Sequence, residues 1–164
     1  MIIRKLGMND KSKLNDLIIE VEKNLINDTF WLPITKISRD HFFDEEWTYF
    51  LGAFEGDELI GAVALFFNEN EFGESRKILE IDSTNLAEYG RAMVKPSFQG
   101  KGIMKMLSKQ IIEYAGSIGI QRIIATVHPS NISSQMVVKF MGFQKKGFVK
   151  KNNIYDRDIF LLEI

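Results

Sequence analysis

The residues best suited to chemistry form a glycine-rich turn between a predicted strand and a predicted helix, residues 99–104 (QGKGIM). Glycine at positions 100 and 102 permits unusual backbone dihedral angles and removes side chains that would block a ligand. The first N–H groups of the following helix have no intrahelical acceptor, and a pyrophosphate accepts several such hydrogen bonds at once. The turn therefore predicts a phosphate site, although a glycine turn that binds nothing accounts for the local pattern equally well.

Two better-known phosphate motifs do not fit this turn. A P-loop requires a lysine followed by serine or threonine after the second glycine, whereas Lys101 lies between the two glycines. A Rossmann fingerprint requires a third glycine, and Met104 and Lys105 occupy that region. The turn therefore belongs to neither class.

The elements on either side of the turn follow from hydrophobic periodicity. Leu86–Val94 predicts the preceding strand, which Pro96 ends. The following helix begins at Gly102 and presents one apolar face: Ile103, Leu107, Ile111, Tyr114, Ala115 and Ile118. Ile120–Val127 is a nearly continuous apolar run, typical of a strand buried on both faces. A second amphipathic helix carries Ile132, Met136, Val137 and Phe140.

The rest of the chain predicts further strands and helices around this unit. Strands are predicted at Ile2–Leu6, Trp47–Phe54, Leu59–Phe67, Phe143–Val149 and Tyr155–Leu162. Helices are predicted after Asp10, over Arg39–Phe43 and, for one turn only, near Ile78–Ile81 within a polar insertion at residues 68–85. Because helices are embedded between strands, the order predicts a three-layer α/β (mixed-sheet) fold in a single domain of residues 1–164.

Composition narrows the class of protein. The chain has 164 residues, of which 45% are hydrophobic and 26% charged, and its net charge is -1. This balance predicts no nucleic-acid or membrane partner. Cysteine is absent and the two histidines are far apart, so we expect neither a disulfide, a thiolate nucleophile nor a metal site. The N-terminus lacks a signal-peptide pattern, and the sequence predicts a cytoplasmic location.

The turn and its neighbours resemble the GNAT superfamily of acyl-CoA-dependent N-acyltransferases. The pyrophosphate loop of that family reads Q/R-x-x-G-x-G/A, and Gln99, Gly102 and Met104 occupy its three defined positions. Methionine replaces the final small residue, which predicts a looser or reshaped helix start. A hydrophobic-x-Pro segment precedes the loop at Val94-Lys95-Pro96, and an N-x-x-[AS]…G-F block follows as Asn131, Ser134, Gly142 and Phe143. These motifs cover residues 86–145, and the element order is similar over the whole chain.

The resemblance implies acetyl-CoA as co-substrate, bound where the central sheet splays open. The residues it implies for CoA binding are Met93, Val94, Gln99, Gly100, Lys101, Gly102, Ile103, Met104, Asn131 and Ser134. The backbone of Met93 and Val94 would hold the pantetheine arm and polarise the thioester carbonyl. Asn131 is also explained by a helix N-cap alone. Lys101 and Lys105 point either to the 3′-phosphate or into solvent.

Amine acylation requires a base, because a protonated amine has no lone pair for attack on the thioester. The resemblance places Glu88 where some members of the family have a catalytic glutamate. The general acid of the family is often a tyrosine, but that position here is Val138. Tyr89 is our first substitute, with His128, Tyr155 and water as alternatives. An ordinary packing or surface role remains open for each of these residues.

Aromatic residues before the first hairpin predict the acceptor pocket. In this fold the N-terminal helices cover the acceptor site, so Trp31 and Phe42 are predicted substrate-binding residues, with core packing as the alternative. The acceptor would be the primary amine of a small molecule or peptide. A homodimer formed through the apolar strand at Ile159–Leu162 is left open.

The leading functional hypothesis is an N-acetyltransferase in which the amine attacks acetyl-CoA directly in a ternary complex. A covalent acyl-enzyme is disfavoured, since the chain offers no cysteine and no Ser/His/Asp set. Val138 and Met104 keep a second hypothesis open, a non-catalytic CoA-binding sensor or interaction module on the same fold. A protein that binds another phosphorylated ligand is the third.

Overall fold

A computed structural model describes residues 1–164 and shows one mixed sheet with helices on both faces. The strands are β1 (Ile2–Lys5), β2 (Thr48–Glu55), β3 (Glu58–Phe66), β4 (Leu86–Val94), β5 (Arg122–Val127), β6 (Gln144–Lys151) and β7 (Tyr155–Glu163). The helices are α1 (Lys11–Lys23), α2 (Lys36–Asp40), α3 (Glu69–Ile78), α4 (Ile103–Ser117) and α5 (Ile132–Phe140). The three-layer α/β prediction is confirmed.

The sheet has the order β1-β2-β3-β4-β5-β7-β6. Only β4 and β5 are parallel neighbours, and α4 makes the connection between them. The other pairs are antiparallel, and Gly56-Asp57 joins β2 to β3 with Glu55 opposite Glu58. Gly56 has φ of +58°, which a tight two-residue hairpin turn requires at its first central residue.

Two hydrophobic layers hold the sheet between its helices. On one face α4 buries Leu107, Ile111 and Ala115 completely against β2 to β5. On the other face α1 packs Leu14 and Ile18 against β2 and β3. The alternation of side chains along β4 therefore sends neighbouring residues into different layers.

Two predictions for the N-terminal half are wrong. The segment expected to be a polar insertion contains α3, a ten-residue helix that buries Phe72 against Leu86 and Ile124. The short helix expected at Arg39–Phe43 lies earlier, because the Thr35 hydroxyl accepts a hydrogen bond from the Ser38 N–H and caps α2 there.

The route to a dimer through the C-terminal strand is also excluded. β7 is hydrogen-bonded to β5 on one side and to β6 on the other, so it has no free edge. Ile159 and Phe160 are fully buried within the chain. Their apolar character is explained by the core.

Candidate functional site

The central feature of the site is a cleft between β4 and β5. These strands pair only from Leu86 opposite Arg122 to Tyr89 opposite Ala125. β4 continues to Val94, while the end of β5 pairs with β7 alone. The sheet therefore splays after Tyr89 and leaves one edge of β4 without a strand partner.

A β-bulge in β4 lies directly beyond the last paired residue. Gly90 is opposite Ala64 and Met93 is opposite Ala62, so Arg91 and Ala92 share one position of β3. Arg91 has φ of +49°, a left-handed conformation uncommon outside glycine. The bulge bends the strand and redirects the side chain of Arg91.

Backbone groups of β4 face the cleft at every second residue. The Lys95 N–H donates to the Ile60 carbonyl of β3 at 2.7 Å, so the alternating pattern turns the N–H and C=O of Val94 toward the open edge. The Gln99 side chain donates to the Val94 carbonyl at 3.3 Å, consistent with that direction. Met93 pairs with Ala62 instead, and its side chain lies in the core. A main-chain contact with pantetheine is therefore favoured at Val94 over Met93.

The glycine turn presents an uninterrupted row of free donors. Gly100 and Gly102 have φ of +77° and +78°, and a Cβ at either position would meet nothing within 4 Å. The backbone N–H groups of residues 100–105 donate to no protein acceptor, and the first one that does is Met106, to the Gly102 carbonyl at 3.2 Å. This set of donors at a helix N-terminus fits a pyrophosphate.

The start of α4 is regular despite the methionine in the loop. Met104 is half-buried, and its sulfur lies 3.6 Å from the Tyr89 hydroxyl. The looser or reshaped helix start stays a prediction. Lys101 and Lys105 are exposed, each with its ammonium within 5 Å of an aromatic ring centroid, Phe98 at 4.9 Å and Phe140 at 4.6 Å.

Asn131 caps α5 as the residue type indicated. Its side-chain oxygen accepts a hydrogen bond from the Ser134 N–H at 3.3 Å. That bond explains the asparagine without a ligand, so the CoA contacts assigned to Asn131 and Ser134 stay predictions. Val138 is 2% exposed and belongs to the core.

Glu88 is a buried carboxyl group without a hydrogen-bond partner. It is 7% exposed, and its Oε2 atom is buried and bonded to nothing. Burial raises the pKa of Glu88 to about 7, with Glu71 raising it further and Lys151 and Arg91 lowering it. Because Glu88 lies one residue before the last β4–β5 pair, this carboxyl sits where the cleft begins.

Tyr89 points to the opposite face of the sheet. Its hydroxyl lies 2.8 Å from the Ser108 hydroxyl on α4, and its ring packs against Phe143. Burial raises the pKa of Tyr89 to about 12 although the bond to Ser108 opposes the shift. The side chains of Glu88 and Tyr89 therefore lie on opposite faces of the sheet, at the point where β4 separates from β5.

The loop between α1 and α2 crosses the cleft on the Glu88 side. Arg91 donates to the carbonyl oxygens of Leu32 and Pro33, and its guanidinium lies 4.9 Å from the Trp31 ring centroid. The indole Nε1 of Trp31 is buried without a partner. Phe30 of the same loop packs against His128, the residue after β5, with ring centroids 4.8 Å apart. The loop therefore covers the cleft on this side.

Of the two predicted acceptor-binding aromatics, only Trp31 lies in this cover. Phe42 is 3% exposed, packs edge-on against Phe50, and lines a cavity of about 630 Å³ beside Arg4 and β1. Sequence reasoning missed Arg91 as a site residue. The only signal for Arg91 in the sequence is that a charged residue lies inside an otherwise apolar strand. The same pattern is expected where the end of a strand is exposed to solvent.

The comparisons with known proteins agree with this geometry. Residues 20–143 match the model of the acetyltransferase (GNAT) family. The chain belongs to the GNAT family. The predicted resemblance is thereby confirmed.

Two curated relatives and one solved structure illustrate the match. The chain is 40% identical over 57 residues to the uncharacterised N-acetyltransferase YnaD and 32% identical over 110 residues to the probable N-acetyltransferase YjcK, both of Bacillus subtilis (strain 168). These alignments cover 34% and 66% of this chain, and 34% and 54% of those relatives. The chain therefore matches about a third and about half of their lengths.

The solved structure shares the fold over almost the whole chain. YncA of Salmonella typhimurium, determined with its cofactor acetyl-CoA, superposes with a TM-score of 0.74 at 18% identity and covers 99% of this chain and 93% of its own. No group of three or more His, Asp or Glu side chains is arranged to hold a metal ion. None of the helices combines the length and apolar character that a bilayer crossing requires.

Proposed function

We propose that this chain is an N-acetyltransferase that transfers the acetyl group of acetyl-CoA to a primary amine in a ternary complex. The observation that carries the proposal is Glu88, an unpartnered buried carboxyl at the point where β4 leaves β5. Family membership supports the reaction class. The free donor row at residues 100–105 and the open edge of β4 support acetyl-CoA as co-substrate.

The donor row and Val94 account for binding. Backbone N–H groups of residues 100–105 would hold the pyrophosphate, and Lys101 or Lys105 adds positive charge beside it. The N–H of Val94 faces the cleft, where it can hydrogen-bond the carbonyl oxygen on which negative charge develops. Acetyl-CoA, when bound, supplies an acetyl group already activated as a thioester.

Glu88 accounts for amine activation. Its carboxylate accepts a proton from the acceptor ammonium, directly or through one water, and so frees the nitrogen lone pair. A pKa of about 7 leaves roughly half of the carboxyl ionised at neutral pH. The rate should therefore rise with pH and level off above about pH 8, because only the ionised form acts as a base.

Tyr89 fits a hydrogen-bond donor better than a full proton donor. Its pKa of about 12 lies more than three units above the ordinary thiol value of about 8.5, so proton transfer to a thiolate would be uphill. A donated hydrogen bond stabilises the departing sulfur without that transfer. The thiolate then takes a proton from water, and the proton that Glu88 removed from the amine replaces the one that water gave.

Calorimetry and a thiol-release assay test the proposal. We expect acetyl-CoA to bind the wild-type protein, and a panel of primary amines to contain at least one that releases free thiol. We expect Glu88→Gln to retain binding and to lower kcat by about 10²- to 10⁴-fold. Absence of heat with acetyl-CoA and with CoA would refute the proposal.

A CoA-binding module without catalysis is the second candidate. It is favoured by Val138, a core residue where the family often has a tyrosine acid. The same assay separates the two functions, since binding without thiol release for any amine supports the module.

A further inference from the structure

Arg157 on β7 is a buried arginine without an acidic partner. It is 2% exposed, and its one hydrogen bond runs from Nη1 to the Asp156 carbonyl oxygen at 2.7 Å. An arginine carries five N–H donors in a planar fork, so most of this fork remains unused. Buried charges in proteins are normally paired, because an unpaired one loses its hydration without compensation.

The neighbouring carboxylates are engaged elsewhere. Asp156 has its Oδ1 3.2 Å from the Lys150 ammonium. Asp158 bonds the Gln135 amide at 3.1 Å and the Lys145 ammonium at 3.1 Å. No side chain of β7 therefore forms an ion pair with Arg157, although Asp156 and Tyr155 lie close enough to favour its charge.

Arg157 lies on the Glu88 side of the sheet, where the cleft opens. Asp158 is the last residue of β7 that pairs with β5, so Arg157 is just beyond the end of that ladder. It shares a face with Ile159, which contacts Leu86 and Ile124 beneath α3. This is the face on which Glu88 lies, since Glu88 is opposite Ile124.

Arg91 is a second positive charge that acts on Arg157. Arg91 forms no salt bridge, and its guanidinium donates hydrogen bonds to the carbonyl oxygens of Leu32 and Pro33. Burial and the charge of Arg91 together lower the pKa of Arg157 to about 10. Burial lowers the pKa of Arg91, and the charges of Glu71 and Glu88 oppose that shift. An anion between the two guanidinium groups would relieve their repulsion.

We propose that the amine acceptor also carries an anionic group, a carboxylate or a phosphate, which Arg157 binds together with Arg91 while the amine faces Glu88. Two oxygens of a carboxylate or a phosphate match the guanidinium fork and form paired hydrogen bonds with it. This inference rests on the proposed function and names its substrate class, an amino acid or a phosphorylated amine.

Matched acceptors test the inference through activity. Each amino acid is compared with its amide, and phosphoethanolamine with ethanolamine, so that only the anionic group differs. Charged hydrogen bonds of this kind predict a kcat/KM about 10- to 100-fold higher for the anionic member. The preference should disappear in Arg157→Met and survive in part in Arg157→Lys. The two pairs distinguish a carboxylate from a phosphate.

Thermal unfolding without acceptor gives a readout that does not depend on turnover. Arg157→Met removes an unpaired buried charge, so its midpoint should exceed that of the wild type. Millimolar phosphate or glutarate should stabilise the wild type and not the variant. Arg122→Met is the matched control: Arg122 has its own ion pair with Asp82 at 2.8 Å, so its loss should lower the midpoint and leave anion protection intact.

The outcomes separate this inference from the proposed function. Equal turnover of charged and uncharged acceptors by the wild type would overturn the inference and leave the acetyltransferase standing. If no amine is acetylated, the proposed function fails, and anion protection that is lost in Arg157→Met still supports the site. A destabilised Arg157→Met with unchanged anion protection, reproduced in Arg157→Gln, would overturn it.

Discussion

Replacing Glu88 with glutamine should make the protein more stable and less active. The carboxyl is buried, and its pKa rises from 4.5 to about 7 in the folded chain. Each unit of pKa shift corresponds to about 1.4 kcal/mol, so the ionised side chain destabilises the fold by about 3 kcal/mol. Glutamine has nearly the same shape and no charge.

The sign of this effect depends on pH. A raised pKa in the folded state means that folding is favoured by the protonated form, so the penalty is absent below about pH 4.5 and complete above about pH 7. The free energy of unfolding of Glu88→Gln should therefore equal that of the wild type near pH 4.5. It should exceed the wild-type value by about 3 kcal/mol near pH 8.5.

Urea denaturation at the two pH values measures the difference. Comparing the same two proteins at both pH values cancels any effect of the glutamine amide that does not titrate. The difference near pH 8.5 corresponds to roughly 6 to 12 °C in the melting midpoint for a domain of this size. Glu113→Gln is the control, since Glu113 is exposed on α4 and forms no ion pair. A stability difference that is the same at both pH values would refute the argument.

Three further outcomes follow from the same structure. Gly102→Leu should weaken acetyl-CoA binding at least tenfold by calorimetry, whereas Gly119→Ala, also at a left-handed position (φ +88°), should share the backbone strain of about 1–2 kcal/mol and bind normally. Tyr89→Phe should reduce kcat by less than about tenfold in the thiol assay. A loss above about 1,000-fold would show instead that Tyr89 is a proton donor. Asp10→Asn should lower stability by about 1–2 kcal/mol at pH 7 and by much less near pH 2, where about half of the carboxyl is protonated, because Arg4 holds the Asp10 pKa at about 2. Chemical denaturation that shows no pH dependence would contradict this.

The donor row of the candidate site was predictable because it is local. Gly100, Gly102 and the helix after them form the row within a few consecutive residues, so their spacing indicates the turn and its free N–H groups. Glu88 required the family resemblance, since a glutamate in a strand is equally well explained by exposure. Its burial depends on α1, α3 and the loop that crosses the cleft, none of which is adjacent in sequence.

The missed features depend on long-range contacts. α3 contains Gly73 and is rich in polar residues, so its apolar signal is weak; its helix is stabilised by Phe72 packing under β4 and β5. The bulge at Arg91 places a non-glycine residue at positive φ, which propensity does not predict. In the sequence, Arg157 is an ordinary residue of a predicted strand. Only the three-dimensional structure shows that it is buried without an ion pair.

The divergence of β4 from β5 also bears on how the protein behaves without its ligand. Beyond Tyr89, β4 carries backbone donors and acceptors that no strand satisfies, in the middle of the sheet rather than at its border. Such an edge is a template for pairing with another chain, and the loop that carries Trp31 shields it on one face only. Ligand that fills the cleft at 100 times its dissociation constant would add about 2.7 kcal/mol to folding stability. The ligand-free chain is therefore the form most exposed to aggregation, and acetyl-CoA should act as its stabilising agent during purification and storage.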